Sequence, residues 1–195
     1  MEHDNPDHLH SQIAAIARRI DRPVVLVGMM AVGKSSIGRK LAAALALPFC
    51  DADDEIEAAS QLSVAEIFAT YGEAYFRSGE RRVIARLIAG PPRVIATGGG
   101  AFVDPQTRAA VLARAITVWL DSDIDTLLAR ALRKPTRPLL QTANPRETLV
   151  QLRDARAASY AEAPIHVVSS DNAHGDTVSA IVAGIADWLG REGQV

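Results

Sequence analysis

The stretch Gly28-Met29-Met30-Ala31-Val32-Gly33-Lys34-Ser35 decides the fold, because it matches G-x-x-x-x-G-K-[ST], the phosphate-binding P-loop. The short apolar run at residues 23–27 predicts a buried parallel strand before the loop. After the loop, Ile37, Leu41 and Leu45 recur at helical spacing and predict an amphipathic helix. A strand, a glycine-rich loop and a helix in this order are the context in which the motif binds phosphate.

The chemistry of this loop indicates a nucleoside triphosphate with magnesium. Gly28 and Gly33 allow backbone angles that let successive N–H groups surround an anion, next to the positive end of the helix dipole. Lys34 would reach the β- and γ-phosphates, and the Ser35 hydroxyl would take one position on Mg²⁺. We therefore predict a nucleoside triphosphate and Mg²⁺ as cofactors. The predicted nucleotide-binding residues of the loop are Ala31, Val32, Gly33, Lys34, Ser35 and Ser36.

The composition is that of a soluble globular protein. The 195 residues suffice for one well-buried domain, with 48% hydrophobic and 23% charged residues. Because 21 basic residues balance 23 acidic ones, no strongly basic surface for nucleic acid or anionic membranes is indicated. The single cysteine, Cys50, cannot form an internal disulfide, and neither a signal peptide nor an apolar run of about 18 residues is found. We expect a cytoplasmic monomer without nucleic-acid or membrane partners.

The chain divides into one domain with two short flanking segments. Residues 1–22 are predicted as a polar tail, through His10, followed by a short amphipathic helix. Residues 23–190 form the predicted P-loop domain, and residues 191–195 form a C-terminal tail. Within the domain, five apolar strands alternate with helical segments, which predicts a parallel, three-layer α/β/α fold.

A cluster of acidic residues follows the second predicted strand, at residues 51–55. If Asp51 and Asp53 both lie on extended chain, their side chains point to the same side, since they are two residues apart. This arrangement suits one carboxylate near Mg²⁺ and one facing a hydroxyl group of a substrate. The alternative is that both are acidic residues of a surface loop. A second rival for the metal is Asp121, which ends an apolar strand as in a Walker B motif, although we favour Asp121 as the cap of the next helix.

Two further segments point to a ligand. Gly98, Gly99 and Gly100 end the predicted strand at residues 93–97, and three glycines there are best explained by close approach of a ligand to the backbone. Arg130, Arg133, Lys134 and Arg137 precede or lie in a proline-containing loop at about residues 132–145, which indicates a mobile lid closing over ATP. A solvated surface loop is the alternative. Because ligands of parallel sheets gather beyond the carboxyl ends of the strands, these motifs are expected to meet in one crevice.

Taken together, the motifs resemble those of the shikimate kinase family, from about residue 24 to residue 189. The matching pieces are G-M-M-A-V-G-K-S, the D-A-D pair at Asp51 to Asp53, F-R-S-G-E at Phe76 to Glu80, G-G-G, R-P-L-L from Arg137, and R-A-A-S-Y from Arg156 to Tyr160. The resemblance implies the fold of nucleoside monophosphate kinases, with sheet order 2-3-1-4-5 and a mobile lid. It also implies transfer of the γ-phosphoryl group of ATP to the 3-hydroxyl of shikimate.

The resemblance further implies a role for each matching residue. Asp53 would accept a hydrogen bond from the shikimate hydroxyls and act as the base, while Lys34 and Arg137 would neutralise the phosphates. Arg130 would lie along the adenine, and Ser35 and Asp51 would serve Mg²⁺. The implied substrate-binding residues are Asp53, Arg77, Gly98, Gly99, Gly100 and Arg156, with Glu80 orienting Arg77. Two arginines are well suited to binding the shikimate carboxylate, because a planar guanidinium group can form two parallel hydrogen bonds with a planar carboxylate.

This sequence departs from the family pattern in two places. Ala31 stands where many relatives have a third glycine of the loop, which is tolerable if its φ is negative. The segment at residues 171–174 lacks the basic residue that some relatives use beside adenine. Two rival functions remain: a P-loop kinase for another hydroxylated acid such as gluconate, and a nucleotide-binding module without catalysis. The absence of N-K-x-D argues against a GTP-dependent switch.

Overall fold

A computed structural model describes residues 6–133, 144–169 and 174–193, with side chains from residue 12 in the first range and from residue 175 in the last. Five strands form one parallel sheet: β1 (Val24–Val27), β2 (Phe49–Asp51), β3 (Val94–Ala96), β4 (Ile116–Asp121) and β5 (Ile165–Val168). Their order is β2-β3-β1-β4-β5, which confirms the order implied by the resemblance. The central strand β1 pairs Val24 with Val94 on one side and with Ile116 on the other.

Eight α-helices within these described ranges surround the sheet, and a short 3₁₀ helix covers Ala101–Val103. The α-helices are α1 (Pro6–Ala17), α2 (Lys34–Ala44), α3 (Ala52–Ser60), α4 (Val64–Ile88), α5 (Pro105–Arg114), α6 (Ile124–Leu132), α7 (Pro145–Tyr160) and α8 (His174–Glu192). Helices α1 and α2 each contact α8, while α4 contacts α5, which packs on β4. The sheet therefore lies between helical layers, as predicted. No helix in the part of the chain that the structure describes is long and apolar enough to cross a membrane.

The burial of the strands follows their position in the sheet. All four residues of β1 are buried, because a central parallel strand is covered on both faces. In the edge strand β5, Ile165 and Val167 are buried while His166 and Val168 are exposed. The exposed His166 ring stacks on Trp119 with a centroid separation of 3.9 Å. This is the structural role in a strand that the sequence predicted for His166.

The helices differ from prediction in one start and one cap. Helix α1 begins at Pro6, a residue favoured at the first helical position, rather than after His10. The two helices predicted on either side of residue 72 are confirmed: both carry the label α4, but a kink at Gly72 separates them, where the backbone angles are non-helical (φ 78°, ψ 174°). The side chain of Asp123, not that of Asp121, caps α6 by accepting a hydrogen bond from the Thr126 amide. The prediction that Asp121 is this cap is wrong.

Candidate active site

The carboxyl ends of β1, β2 and β3 open into one cleft of about 990 Å³. The P-loop, α3, α4, the glycine turn after β3, α6 and α7 contribute to its walls. The predicted site residues in the lining are Ala31, Gly33, Lys34, Ser35, Ser36, Asp51, Asp53, Arg77, Gly98, Gly99, Gly100, Arg130 and Arg156. The side chain of Val32 instead lies in the core. Arg137, Lys134 and the rest of the predicted lid at residues 134–143 lie outside the described residues, as does Asn172.

The backbone of the P-loop has the angles of an anion cradle. Gly28 has a φ of 136°, and a Cβ there would lie 2.1 Å from the carbonyl oxygen of Leu120, so no larger residue fits. Positive φ values also occur at Ala31 (66°) and Gly33 (103°), on either side of Val32. This alternation turns neighbouring N–H groups toward one side. The condition under which Ala31 is expected to be tolerable, a negative φ, is therefore not met, because the loop places this residue in the left-handed conformation.

Lys34 lies against the loop that precedes it. Its Nζ donates hydrogen bonds to the carbonyl oxygens of Gly28 and Met29, both at 2.8 Å, and the residue is 8% exposed. These contacts hold the ammonium group at the cradle, where phosphate oxygens would bind. Arg130 on α6 reaches the same loop, because its Nη1 donates to the carbonyl oxygen of Val32 at 3.1 Å. Two cationic side chains thus border the predicted nucleotide site.

Ser35 and Asp51 meet although they are separated in sequence by a helix. Asp51 ends β2, beside the P-loop, and the Ser35 hydroxyl donates to its Oδ2 at 2.6 Å. A hydroxyl and a carboxylate are the hard oxygen ligands that Mg²⁺ prefers, with its remaining positions filled by water and phosphate oxygens. The two residues therefore fit a magnesium site. The other Asp51 oxygen accepts from the Asp53 amide at 3.1 Å and caps α3.

Asp53 lies in the first turn of α3, so the assumption that Asp51 and Asp53 share an extended segment is wrong. Its side chain nevertheless faces the cleft. Its Oδ1 is buried, has no hydrogen-bond partner among the described residues, and would lie 3.2 Å from a Cβ at Gly98. Burial, together with the nearby charges of Asp51 and Glu80, raises the pKa of Asp53 to about 6, although Lys34 opposes the shift. Asp53 thus has one unpartnered acceptor oxygen and a raised pKa.

Arg77 is held between two glutamates of α4. Its Nη1 donates to Oε2 of Glu80 at 2.6 Å, and its Nη2 donates to Oε1 of Glu73 at 3.1 Å. Glu80 is only 2% exposed, and its Oε1 has no hydrogen-bond partner in the described part of the chain. Burial raises the pKa of Glu80, even though the Arg77 charge favours the carboxylate. The pairing agrees with the role implied for Glu80, orientation of Arg77.

The glycine turn, formed by Gly98, Gly99 and Gly100 after β3, packs between the P-loop and α7. A Cβ at Gly99 would lie 2.9 Å from the backbone nitrogen of Met30, so only glycine allows the turn to pack this closely on the P-loop. On the other side, the carbonyl oxygen of Gly99 accepts hydrogen bonds from Arg156 Nη1 at 3.0 Å and from the Tyr160 hydroxyl. Sequence analysis gave Tyr160 no role. Its spacing of four residues from Arg156, which puts both on one helix face, is the signal that could have found it.

The Asp121 carboxylate contacts side chains of α7 and β5 rather than Ser35 of the P-loop. Its Oδ2 lies 2.9 Å from Arg153 Nη2 and 3.8 Å from His166 Nε2. Asp51, in contrast, is hydrogen-bonded to Ser35. The structure therefore favours Asp51 over Asp121 as the carboxylate beside the predicted metal position.

Aromatic side chains complete one wall of the cleft. Phe68 and Phe76 of α4 have ring centroids 4.7 Å apart and line the cleft with Val64. Sequence analysis did not assign these residues to the site. The four-residue spacing of Val64 and Phe68 after the Ser63 cap is a helical apolar pattern that indicates a shared face. Whether such a face meets the core or a cleft depends on tertiary packing.

Comparison with known proteins agrees with this geometry. The family model for shikimate kinase matches residues 30–186. A shikimate kinase from Novosphingobium aromaticivorans is 57% identical over 97% of this chain and 100% of its own length. The solved structure of shikimate kinase from Acinetobacter baumannii in complex with shikimate is 35% identical, with a TM-score of 0.82 over 85% of this chain and 93% of that one. A gluconokinase from Sinorhizobium meliloti, 17% identical with a TM-score of 0.60 over 89% of this chain and 97% of that one, shares the fold.

Proposed function

The chain belongs to the shikimate kinase family, and we propose that its cleft transfers the γ-phosphoryl group of ATP to the 3-hydroxyl of shikimate. The products are ADP and shikimate 3-phosphate, an intermediate on the route to chorismate and the aromatic amino acids. The observation that carries this assignment is that the P-loop, the buried Asp53 oxygen and two arginines, Arg77 and Arg156, line one cleft. Phosphoryl donor and carboxylic acid acceptor can therefore lie side by side.

The P-loop side of the cleft holds the triphosphate of ATP. The N–H groups from Ala31 to Ser36 and the ammonium of Lys34 bind the phosphates, and Arg130 lies along the adenine. Ser35 and Asp51 would hold Mg²⁺, the latter directly or through water. When bound, Mg²⁺ neutralises charge on the phosphate oxygens. Arg137 is proposed to add positive charge from the lid, as the family pattern implies.

Asp53 is the proposed acceptor of the hydroxyl proton. As the 3-hydroxyl oxygen forms its bond to the γ-phosphorus, the bond from phosphorus to the oxygen of ADP breaks and the proton passes to Asp53. Its pKa of about 6 suits this task, because the carboxylate is mainly ionised at neutral pH and yet more basic than an exposed aspartate. The unpartnered Oδ1 is available to the hydroxyl group.

The opposite end of the substrate is proposed to bind between two guanidinium groups. Arg77 and Arg156 line the same cleft and can form paired hydrogen bonds with a planar carboxylate. Gly98, Gly99 and Gly100 add backbone contacts, since no hydrogen bond between described residues uses their N–H groups. Selection for an acid over a neutral polyol follows from this pair of cations.

We further propose the setting in which this enzyme acts. Residues 23–190 form its single catalytic domain, with a lid at about residues 132–145 and short segments at either end. The near balance of 21 basic and 23 acidic residues supports the absence of nucleic-acid partners. The enzyme is proposed to act as a cytoplasmic monomer.

An assay of ADP release with and without shikimate tests the assignment directly. We expect ADP formation to depend on shikimate, and gluconate to be a poor substitute. Lys34→Ala should reduce kcat by about a hundredfold or more, because its charge acts mainly on the transition state. Lys40→Ala, which removes an exposed lysine of the same helix, serves as the control and should retain activity. Shikimate-independent ADP release, or less than about a threefold loss in the Lys34 variant, would contradict the assignment.

A further inference from the structure

Tyr160 is a buried side chain whose polar end reaches the active-site turn. It lies in the last turn of α7 and is only 1% exposed, and its ring stacks on Trp119 with a centroid separation of 6.0 Å. Its hydroxyl donates a hydrogen bond to the carbonyl oxygen of Gly99. Because burying a hydroxyl without a partner is costly, ring packing and hydrogen bond together fix where that carbonyl points.

The direction of the Gly99 carbonyl also sets the direction of a neighbouring N–H group. The carbonyl belongs to the peptide that links Gly99 to Gly100. A trans peptide is planar, with its C=O and N–H on opposite sides, and no cis peptide occurs among the described residues. Holding the Gly99 oxygen toward α7 therefore turns the Gly100 N–H away from α7. Gly100 packs closely against Arg77, because a Cβ built on Gly100 would lie 2.6 Å from Nη2 of Arg77.

Arg156 and Tyr160 both donate hydrogen bonds to the Gly99 carbonyl oxygen, but only Tyr160 is free of a second task in substrate binding. Arg156 Nη1 donates to the Gly99 oxygen at 3.0 Å. If Arg156 turns to a substrate carboxylate, the carbonyl loses that donor and Tyr160 remains. Burial raises the pKa of Tyr160 to about 12, so its hydroxyl stays protonated and able to donate at physiological pH.

We propose that Tyr160 is a positioning residue for the carboxylate site: it holds the Gly99–Gly100 peptide so that the Gly100 N–H, beside Arg77, can bind the anion that Arg77 and Arg156 hold. This inference rests on the proposed function, because it assumes an acidic substrate between Arg77 and Arg156. Tyr160 itself does not touch the reacting atoms. It acts by keeping the Gly99–Gly100 peptide in one orientation.

Tyr160→Phe tests this role by removing the hydroxyl and keeping the ring. We expect the KM for shikimate to rise about tenfold, since a buried acceptor loses its partner, while kcat and the KM for ATP stay within about twofold. Ser159→Ala is the matched control, because it removes a hydroxyl from the same helical turn that contacts Arg108 instead of the cleft. Its KM for shikimate should stay within about twofold of the unaltered protein.

A neutral amide of shikimate separates positioning from general damage to the fold. Calorimetry should show that Tyr160→Phe weakens binding of shikimate about tenfold but of the amide less than about twofold, because only the charged group uses the aligned donors. Equal weakening of both ligands, or an unchanged KM for shikimate, would overturn the proposal. Failure of the proposed function is distinguishable, since the unaltered protein would then show no shikimate-dependent ADP release.

If Tyr160→Phe does not fold, an NMR titration of the unaltered protein still tests the proposal. The amide resonance of Gly100 should shift when shikimate binds and shift less with the neutral amide. No shift with shikimate would overturn the proposal.

Discussion

Replacing Asp53 with asparagine is expected to stabilise the protein while it abolishes most activity. In the folded protein, burial and the charges of Asp51 and Glu80 raise the pKa of Asp53 from 3.8 to about 6. A difference of this size corresponds to about 3 kcal/mol of unfavourable free energy for the ionised form. The asparagine side chain would remove that charge but would still bury a polar amide at the same place. We therefore expect Asp53→Asn to be more stable by about 1–2 kcal/mol at about pH 7.5.

The pH dependence of this gain has a definite sign. Because the folded-state pKa lies above the unfolded value, the ionised carboxylate destabilises the folded protein at pH values above about 6. The penalty declines as the pH falls from about 6 and vanishes below 3.8, where both states are protonated. Asparagine does not titrate. The advantage of Asp53→Asn should therefore shrink by about 2 kcal/mol between about pH 7.5 and about pH 4.5.

Urea unfolding of both proteins at these two pH values measures the effect. Asp54→Asn is the matched control, because Asp54 is the next residue of the same helix and its side chain is 70% exposed. Its stability should change by less than about 0.5 kcal/mol at either pH. A variant at Asp53 that is less stable than the unaltered protein at the higher pH, or an advantage independent of pH, would refute the reasoning. In the same preparations, kcat should fall about a hundredfold or more in the Asp53 variant only.

The site geometry supports three further predictions. First, kcat/KM for shikimate should fall about tenfold per pH unit below about pH 6, as Asp53 becomes protonated, and a profile that stays flat down to about pH 5 would contradict its role as base. Second, Arg77→Ala should raise the KM for shikimate about tenfold or more with a smaller change in kcat, measured by ADP release, and equal turnover of shikimate and its neutral amide by the unaltered enzyme would exclude the carboxylate clamp. Third, Ala31→Gly should stabilise the protein by about 0.5–1 kcal/mol in urea unfolding, because Ala31 has a φ of 66°, and a lower unfolding midpoint would show that the left-handed angle is not strained.

The order of strands and helices was predictable because it depends on local patterns. The apolar run of β1, the helical spacing of α2 and the Asp104-Pro105 start of α5 are each visible within a few residues. The resemblance then supplied the strand order, which no local pattern contains. The wrong cap for α6 shows the limit. Asp121 still belongs to β4 and binds Arg153 from α7, whereas Asp123 directly precedes the first residue of the helix.

For the candidate site too, local sequence predicted some features and tertiary contacts decided the others. Residue identities were enough to name Lys34, Ser35 and Asp53, since a P-loop and an acidic cluster have few chemical uses. They were not enough to predict that Asp53 lies in a helix, or that burial beside Glu80 raises its pKa. The contact between Tyr160 and Gly99 was likewise not predictable, although Tyr160 ends the R-A-A-S-Y motif. Its partner Gly99 is 61 residues away.

Sequence patterns therefore settled the class of fold, the phosphate-binding loop and the set of chemically able residues, because backbone preferences and motif spacing are local. The tertiary structure determined which oxygens are buried without a hydrogen-bond partner, which charged groups lie close together, and which segments line the cleft. Those properties arise from desolvation and from contacts between distant segments. Their energies depend on distances and burial that exist only once the sheet has brought the segments together.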